Sequence, residues 1–312
     1  MLVSIIIPCH NAAPWLGETV GSALAQTWPH TEIIVVDDGS GDDSLAIARG
    51  FESRGVRVVA QPNAGASAAR NHGLRLAQGD FIQYLDADDL LDREKLARQV
   101  EALAAAPRAL AAGPWGRFAR GPADAVFTPE ENWRDSEPVD WLAHNFAGRG
   151  MMPPAAWLVP RVLATEAGPW DERLTLNDDG EYFCRVLLRS SGVRFCAEAR
   201  SYYRSNLPGS LSRRRSAVAW RSAFLSHELC AQAMLAAEDS GRTRRACADL
   251  FQRLAHEMYP DSRELVAGCE RRVRELGGSP LLPGGGRVFQ LLSRAVGWKL
   301  ARRLSRLRPS RP

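Results

Sequence analysis

Asp86-Ala87-Asp88-Asp89 puts three carboxylates into four consecutive positions, directly after the apolar, aromatic-rich run Phe81–Leu85. Like charges this close raise one another's pKa and require a counter-charge. A hard divalent cation supplies one, since it takes oxygen ligands and keeps positions open for substrate phosphates. In extended chain Asp86 and Asp88 point the same way and face one site. The competing reading is an acidic turn with Asp92 capping the next helix. Two further acidic pairs stand beside apolar runs. Asp37-Asp38-Gly39-Ser40 follows EIIVV, and Asn177-Asp178-Asp179-Gly180 precedes EYFCRVLLRSS. From position alone the latter pair reads first as a plain helix N-cap.

The elements that must position these acids are legible in the first hundred residues. VSIIIP at Val3–Pro8 and EIIVV at Glu32–Val36 are continuous β-branched runs, the mark of strands covered on both faces. Val56–Ala60 and Phe81–Leu85 complete four strands. Trp15–Gln26, Asp43–Arg54 and Gly65–Ala77 have helical spacing between them. This alternation predicts a parallel sheet wrapped by helices. In such sheets ligands sit beyond the carboxyl ends of the strands. Four polar clusters fall there: Pro8–Asn11, Asp37–Ser40, Gln61–Gly65 and Asp86–Asp89. No G-x-G-x-x-G follows the first strand and no G-x-x-x-x-G-K-[ST] occurs, which disfavours a dinucleotide fold or a P-loop. A diphosphate would then rest on a metal at Asp86 and Asp88, helped by basic side chains.

After Pro107 the pattern changes. Residues 107–150 are rich in Gly, Pro, Trp and Arg and lack regular alternation. Ala155–Val159, Val193–Cys196 and Ser201–Arg204 read as short strands, and 181–191 as a helix. Ala217 to Leu276 is helical, as two or three helices, and Gly277–Gly286 is a flexible break.

With 312 residues the chain can form one large domain or two small ones. Its 45% apolar and 24% charged residues are those of an ordinary globular protein. The six cysteines show no C-x-x-C pair and no metal spacing, the pattern of free thiols in a reducing cytoplasm. The first residues lead straight into a strand, so no signal peptide is expected. No stretch approaches the roughly 20 apolar residues that span a bilayer. The net charge of +4 is unevenly placed: Leu281–Pro312 holds eight Arg and Lys and no acid. Within it Val288, Leu291, Leu292, Ala295 and Trp298 share one helical arc, and arginines 302, 303 and 306 rotate onto that arc beyond Trp298. Such a segment lies on an anionic membrane surface, packs on a partner chain or remains a solvated end. It lacks the interleaved aromatics of base stacking, so nucleic acid is not an expected partner.

VSIIIPCHN, EIIVVDDGS, QPNAGASAARNHGL and GDFIQYLDADD, in this order and spacing, resemble family 2 inverting glycosyltransferases with the GT-A fold. The resemblance is close over residues 3–105 and continues more weakly through NDDGEYFCRVL to YYRSNLPGSLS, ending near 213. It implies an α/β fold: a single Rossmann-like, mostly parallel sheet flanked by helices, with a C-terminal helical extension. The nucleotide-sugar-binding half would be 1–106 and the acceptor-binding half 107–216. A helical extension, 217–276, and a Gly/Pro linker with basic amphipathic tail, 277–312, would lie outside the shared domain.

The resemblance also implies residue roles. Pro8, Cys9, His10 and Asn11 would line the nucleotide site, with Asn63 near them. Asp38 would accept a hydrogen bond from the base, with Asp37 beside it. Arg70 would lie near the diphosphate. Asp86-Ala87-Asp88 matches the family's DxD motif. Asp88 would ligate Mn2+ or Mg2+, and Asp86 would reach the ribose or a metal-bound water. Asp179 falls where the family has its general base, with Asp178 next to substrate. Arg204 and Ser210 lie where the chain returns toward the diphosphate, and Asn206 stands there where many relatives have His. The implied reaction moves a sugar from a nucleotide diphosphate, UDP ahead of GDP or dTDP, to a hydroxyl of a saccharide, lipid-linked or other acceptor. Cell-envelope polysaccharide synthesis in the cytoplasm, at the inner face of the membrane, fits the basic tail. A sugar nucleotidyltransferase is the alternative enzyme, but Cys9–Pro14 has no Gly, Lys or Arg to hold a triphosphate. A non-catalytic nucleotide-sugar-binding module is the third reading, and it would be expected to lose the base or the metal acids.

Overall fold

A computed structural model describes residues 1–205, 207 and 216–306. The first hundred residues form β1 (Val3–Cys9), α1 (Ala13–Leu24), β2 (Thr31–Asp38), α2 (Ser44–Arg49), β3 (Val56–Gln61), α3 (Ala66–Leu76), β4 (Phe81–Tyr84), β5 (Leu90–Leu91) and α4 (Lys95–Ala104). Then follow β6 (Leu110–Ala112), β7 (Trp115–Phe118), β8 (Val126–Phe127), α5 (Pro138–Phe146), β9 (Trp157–Pro160), α6 (Arg161–Ala167), α7 (Asp178–Arg189), β10 (Val193–Phe195) and β11 (Ser201–Arg204). The chain closes with α8 (Ala217–Ala237), α9 (Gly241–Met258), α10 (Arg263–Glu275), α11 (Arg287–Val296) and α12 (Trp298–Arg306).

A seven-stranded sheet has the order β10-β6-β9-β4-β1-β2-β3. β1 lies between β2 and β4, parallel to both. Only β9 is reversed, running antiparallel to β4 and β6, so the sheet is mostly parallel. It is continuous across residue 107, with β9 inserted beside β4.

Every residue of β1 is buried, because helices cover both faces. Alternate residues serve opposite layers. Ile5, Ile7, Ile33 and Val35 pack with Leu16 and Val20 of α1 and with Leu96 and Val100 of α4. Ile6, Ile34 and Val36 pack with Ala69 of α3 and a layer built from α6 to α9. The carboxyl ends of β1, β2, β3 and β4 therefore open at one edge.

A second sheet, β5-β11-β7-β8, sits below that edge. Its β5 follows the acidic loop at once, and β11 pairs antiparallel with it, Tyr202 opposite Leu90. The acid loop is thus anchored by strands on both sides.

Three local expectations change. The helix read over 43–54 stops at Arg49, and a single 3-10 turn, Glu52–Arg54, leads to Gly55 at φ +84°. Residues 107–150 hold three short strands and α5 where no regular element was legible. The tail is two helices, broken at Gly297 with φ +81°. That break resets the helical phase at Trp298, which is why the apolar arc failed there.

Candidate active site

The acidic loop after β4 turns back on itself, with Asp89 N–H donating to Asp86 O at 3.0 Å. Asp86 and Asp88 are partly exposed, while Ala87 and Asp89 are buried. The loop is held from behind. Thr19 Oγ1 donates to Ala87 O at 2.9 Å. Arg204 N–H donates to Asp89 Oδ1 and its Nε to Asp88 O, both at 2.8 Å. The Arg204 guanidinium also pairs with Glu18 at 2.6 Å and lies over the Phe118 ring. Arg204 is thus engaged with protein beneath the loop. Burial, and then the charge of Asp86, push Asp88 up to about 6. Burial and the neighbouring Asp88 and Asp86 push Asp89 well above the usual carboxylate range, and its Oδ2 has no partner.

Such a cluster fits a divalent cation. Among the described residues no three His, Cys, Asp or Glu side chains converge as a ready cage. Mg2+ and its like need none, being held by one or two carboxylates plus substrate phosphates. Asp88 and Asp86 are the carboxylates in position to serve.

Arg70 connects this loop to the third acidic pair. It sits on α3, 6% exposed. One terminal nitrogen donates to Asp86 Oδ1 at 2.7 Å and the other to Asp178 Oδ2 at 2.8 Å. Ser67 Oγ, a turn earlier on α3, adds a 3.2 Å bond to Asp178 Oδ2. The guanidinium rests 4.4 Å over Trp170, which stacks on Tyr182 at 4.1 Å. Burial alone would lower the Arg70 pKa, but Asp86 and Asp178 raise it. Arg70 is therefore a buried bridge between two carboxylates, with each terminal nitrogen bonded to one of them.

Asp179 stands beside Asp178 in the first turn of α7, where Gly180 N–H donates to its Oδ1 at 2.8 Å. Burial, and then the charge of Asp178, push it up to about 6, with Arg70 pulling the other way. The N-cap reading fails for this pair, since Asn177 is the residue at the cap position and makes no side-chain cap bond.

The β1, β2 and β3 ends form the other side of the site. Asp38, 3% exposed, accepts from Gln61 Nε2 (2.7 Å), Ala64 N–H (2.9 Å) and Gly65 N–H (2.8 Å). It thereby shapes the 61–65 loop. Asp37 Oδ2 accepts from Ser40 N–H at 3.1 Å, while its buried Oδ1 has no partner. Gly39 has φ +68°, and a Cβ there would lie 2.7 Å from Asn63 N, so only glycine lets these two loops touch. His10 Nδ1 lies 2.9 Å from Asp38 O and 3.0 Å from Asn63 Nδ2. Asn11, at φ +51°, accepts from Gly41 N–H at 2.8 Å. Cys9 is buried, its thiol pushed up to about 11 by desolvation. Pro8 is buried in β1.

The structure thus brings Pro8–Asn11, Asp37, Asp38 and Asn63 to one edge, and Asp86, Asp88, Arg70, Asp178 and Asp179 beside it. Ala87 contributes its backbone. Ser210 and Asn206 lie outside the described residues. Sequence reasoning missed Ser67, Trp170 and Asn71. Asn71 holds the Trp170 backbone at both its N–H (2.8 Å) and its carbonyl (2.9 Å). A signal for it was present in AARN, adjacent to Arg70, but its partner lies 99 residues away.

Comparison with known proteins places the chain among known folds and sequences. Residues 4–149 match the model of Glycosyl transferase family 2. A protein of Bacillus subtilis, named as a candidate teichuronic acid biosynthesis glycosyltransferase, TuaG, is 42% identical over 103 residues. An uncharacterized glycosyltransferase of Haemophilus influenzae is 41% identical over 102 residues. Each alignment covers 32% of this chain and 41% of the relative, so the chain spans about two fifths of the relatives it matches. The crystal structure of S. aureus TarS 1-349 in complex with UDP-GlcNAc superposes with a TM-score of 0.74 at 16% identity, over 98% of this chain and 92% of that one. The chain has the GT-A fold, and its residues 4–149 are similar to glycosyl transferase family 2.

Proposed function

We propose that the protein transfers a sugar, with inversion, from a nucleotide-diphosphate donor to an acceptor hydroxyl. The observation that carries this reading is the Arg70 bridge. One guanidinium ties the loop suited to a cation and diphosphate to the segment that carries Asp179. Leaving group and base thereby belong to one site.

Asp88 and Asp86 would hold Mn2+ or Mg2+, which when bound would offset charge on the departing diphosphate. Asp37 Oδ1, the buried acceptor without a partner, and the remaining acceptor capacity of Asp38 are suited to the N–H of a nucleotide base. Asp179 takes the proton of the acceptor hydroxyl as its oxygen forms a bond to the anomeric carbon. The bond from that carbon to the diphosphate oxygen breaks on the opposite side, which inverts the centre. An alcohol is a poor nucleophile at neutral pH and needs such a base within hydrogen-bond reach. The UDP-GlcNAc in the TarS crystal supports a UDP-linked donor, and the name of the Bacillus subtilis relative supports a cell-envelope polysaccharide product.

Thermal melts with UDP, GDP and dTDP, each with and without Mn2+, test the donor side. A ligand at about 100 times its Kd stabilises by about 2.7 kcal/mol, or roughly 4 °C in Tm. The expected result is a Mn2+-dependent rise with UDP that Asp88→Ala abolishes. Equal melts under all conditions would remove the donor site.

The tail supports a peripheral membrane location. No helix among the described residues is long and apolar enough to cross a membrane. Yet of the ten large hydrophobic residues exposed among the described residues, six are Leu282, Val288, Leu291, Val296, Leu300 and Leu304. Of the arc read from the sequence, Val288, Leu291 and Ala295 are exposed on α11 while Leu292 is half-buried, and Arg287 and Arg294, off the arc, are exposed as well. An exposed apolar stripe among cations suits an anionic lipid surface. Trp298 anchors the helix pair to the body, against His256 and Tyr259 at 4.6 and 5.1 Å. Co-sedimentation should show binding to phosphatidylglycerol-containing vesicles and little to pure phosphatidylcholine. Replacing Leu291 and Leu300 with Glu should weaken that binding at least about tenfold. Equal binding to both vesicle types, or to neither, would refute the location.

A further inference from the structure

We propose that helix α8, outside the matched family segment, is a positioning element of the active site. Three of its residues, Ser222, Ser226 and Cys230, hold the loop that carries Asp179. They recur every four residues, so they line one helix face. Each meets the next stretch of that loop in turn. Ser222 Oγ accepts from Thr175 N–H (2.8 Å) and Leu176 N–H (3.0 Å) and donates to Leu176 O (3.0 Å). Ser226 Oγ accepts from Asn177 Nδ2 (2.7 Å) and donates to Asn177 O (2.8 Å). Cys230 Sγ donates to Gly180 O at 3.7 Å. The three are 5%, 0% and 3% exposed.

Plain helix packing does not require this. Alanine or leucine would cover the same loop without introducing buried hydroxyls that must find partners. The serines bond specific backbone groups, and such bonds fix position more than they add buried apolar area. The loop needs fixing. Asn177 has φ +60°, uncommon for a residue with a side chain, and its amide is drawn to Ser226, so it cannot cap α7. A Cβ at Gly180 would lie 2.6 Å from Asn177 Oδ1, so the turn into Asp179 is tight. Arg70 and Ser67 grip Asp178 from the sheet side, and α8 grips the residues on either side of the acid pair from the other. A base out of place by about 1 Å can lose about a hundredfold in rate.

This inference rests on Asp179 as the general base. It is tested in the full chain with Ser222→Ala/Ser226→Ala and, should that variant fail to fold, with Ser226→Ala alone. Two readouts are used: steady-state transfer with saturating Mn2+, and amide hydrogen exchange. The expected result is a kcat about 10- to 100-fold lower with the donor KM within about twofold of wild type. Exchange at Thr175–Gly180 should be at least about tenfold faster, with α9 and β1 as protected as before. Unchanged exchange at 175–180 would overturn the proposal, as would faster exchange spread equally over α9, or a loosened loop with wild-type kcat. Asp179→Asn separates the two readings. If it turns over like wild type, the base assignment fails and α8 loses its role with it. If it is slow while the serine variants match wild type, only the α8 proposal fails.

Discussion

Replacing Asp179 with Asn is expected to cut kcat roughly 10²- to 10⁴-fold, leave donor affinity unchanged, and raise the melting temperature at neutral pH. The first two effects follow from removing a base that touches the acceptor and not the donor. The third follows from the environment of the carboxyl. Burial, and then the adjacent Asp178, push it up to about 6, against the pull of Arg70. Its folded pKa lies above the unfolded value of about 3.9. The neutral form is favoured by folding, so its contribution is fully present below that unfolded value and is lost as pH rises through about 6. At neutral pH the ionised carboxylate is a liability to the fold, kept for what it does to substrate. The same shift sets the pH profile. A base acts only when deprotonated, so wild-type kcat/KM should rise about tenfold per pH unit on the acid side and level off above about pH 6. Kinetics from about pH 5 to 8 and melts of both proteins at neutral pH check all of this. Unchanged turnover would remove Asp179 from the role, and a lower Tm would show that its charge supports the fold.

Arg70→Leu should be strongly destabilising. The Arg70 side chain is 7% exposed, and those of its partners Asp86 and Asp178 are 28% and 19% exposed. Removing one member of a buried ion network costs about 3–5 kcal/mol, because the remaining charges lose their compensation. For a chain of 312 residues that is a fall of roughly 5–8 °C in Tm. Arg70→Lys should recover little, since a single ammonium on a shorter reach cannot satisfy two carboxylates in a fixed fork. Adding Asp178→Asn to Arg70→Leu should restore part of the loss, which a double-mutant cycle measures. A Tm for Arg70→Leu within a degree or two of wild type would show that the bridge is not a structural link.

The parallel strands β1 to β4 and the acid loops at their ends were legible because they are local. An apolar β-branched run and the polar residues after it lie within ten positions of one another. The seven-stranded sheet needed more than that. β9, reversed and wedged between β4 and β6, pairs Phe81 with Pro160, and no periodicity reports a partner so far along the chain. The same limit hid the role of Arg70. Its residue type and its place on α3 were readable, but Asp178, 108 residues on, was needed to show that the side chain is a bridge. In the tail the arc was visible, yet whether it faced the core or the solvent depended on where Gly297 broke the helix and where Trp298 docked.

The bonds from α8 to the 175–180 loop bear on how this chain can be cut and recombined. The shared family segment ends early, and the resemblance fades near 213, so a builder of chimeric enzymes would choose a crossover between β11 and α8. That cut would separate Asn177 from Ser226 and leave two backbone amides, those of Thr175 and Leu176, without acceptors. A borrowed C-terminal module would have to bring its own hydroxyls at the same helical register. The unit of exchange in this architecture is therefore the pair of α7 and α8, which are separated by 27 residues in the chain but act as one part.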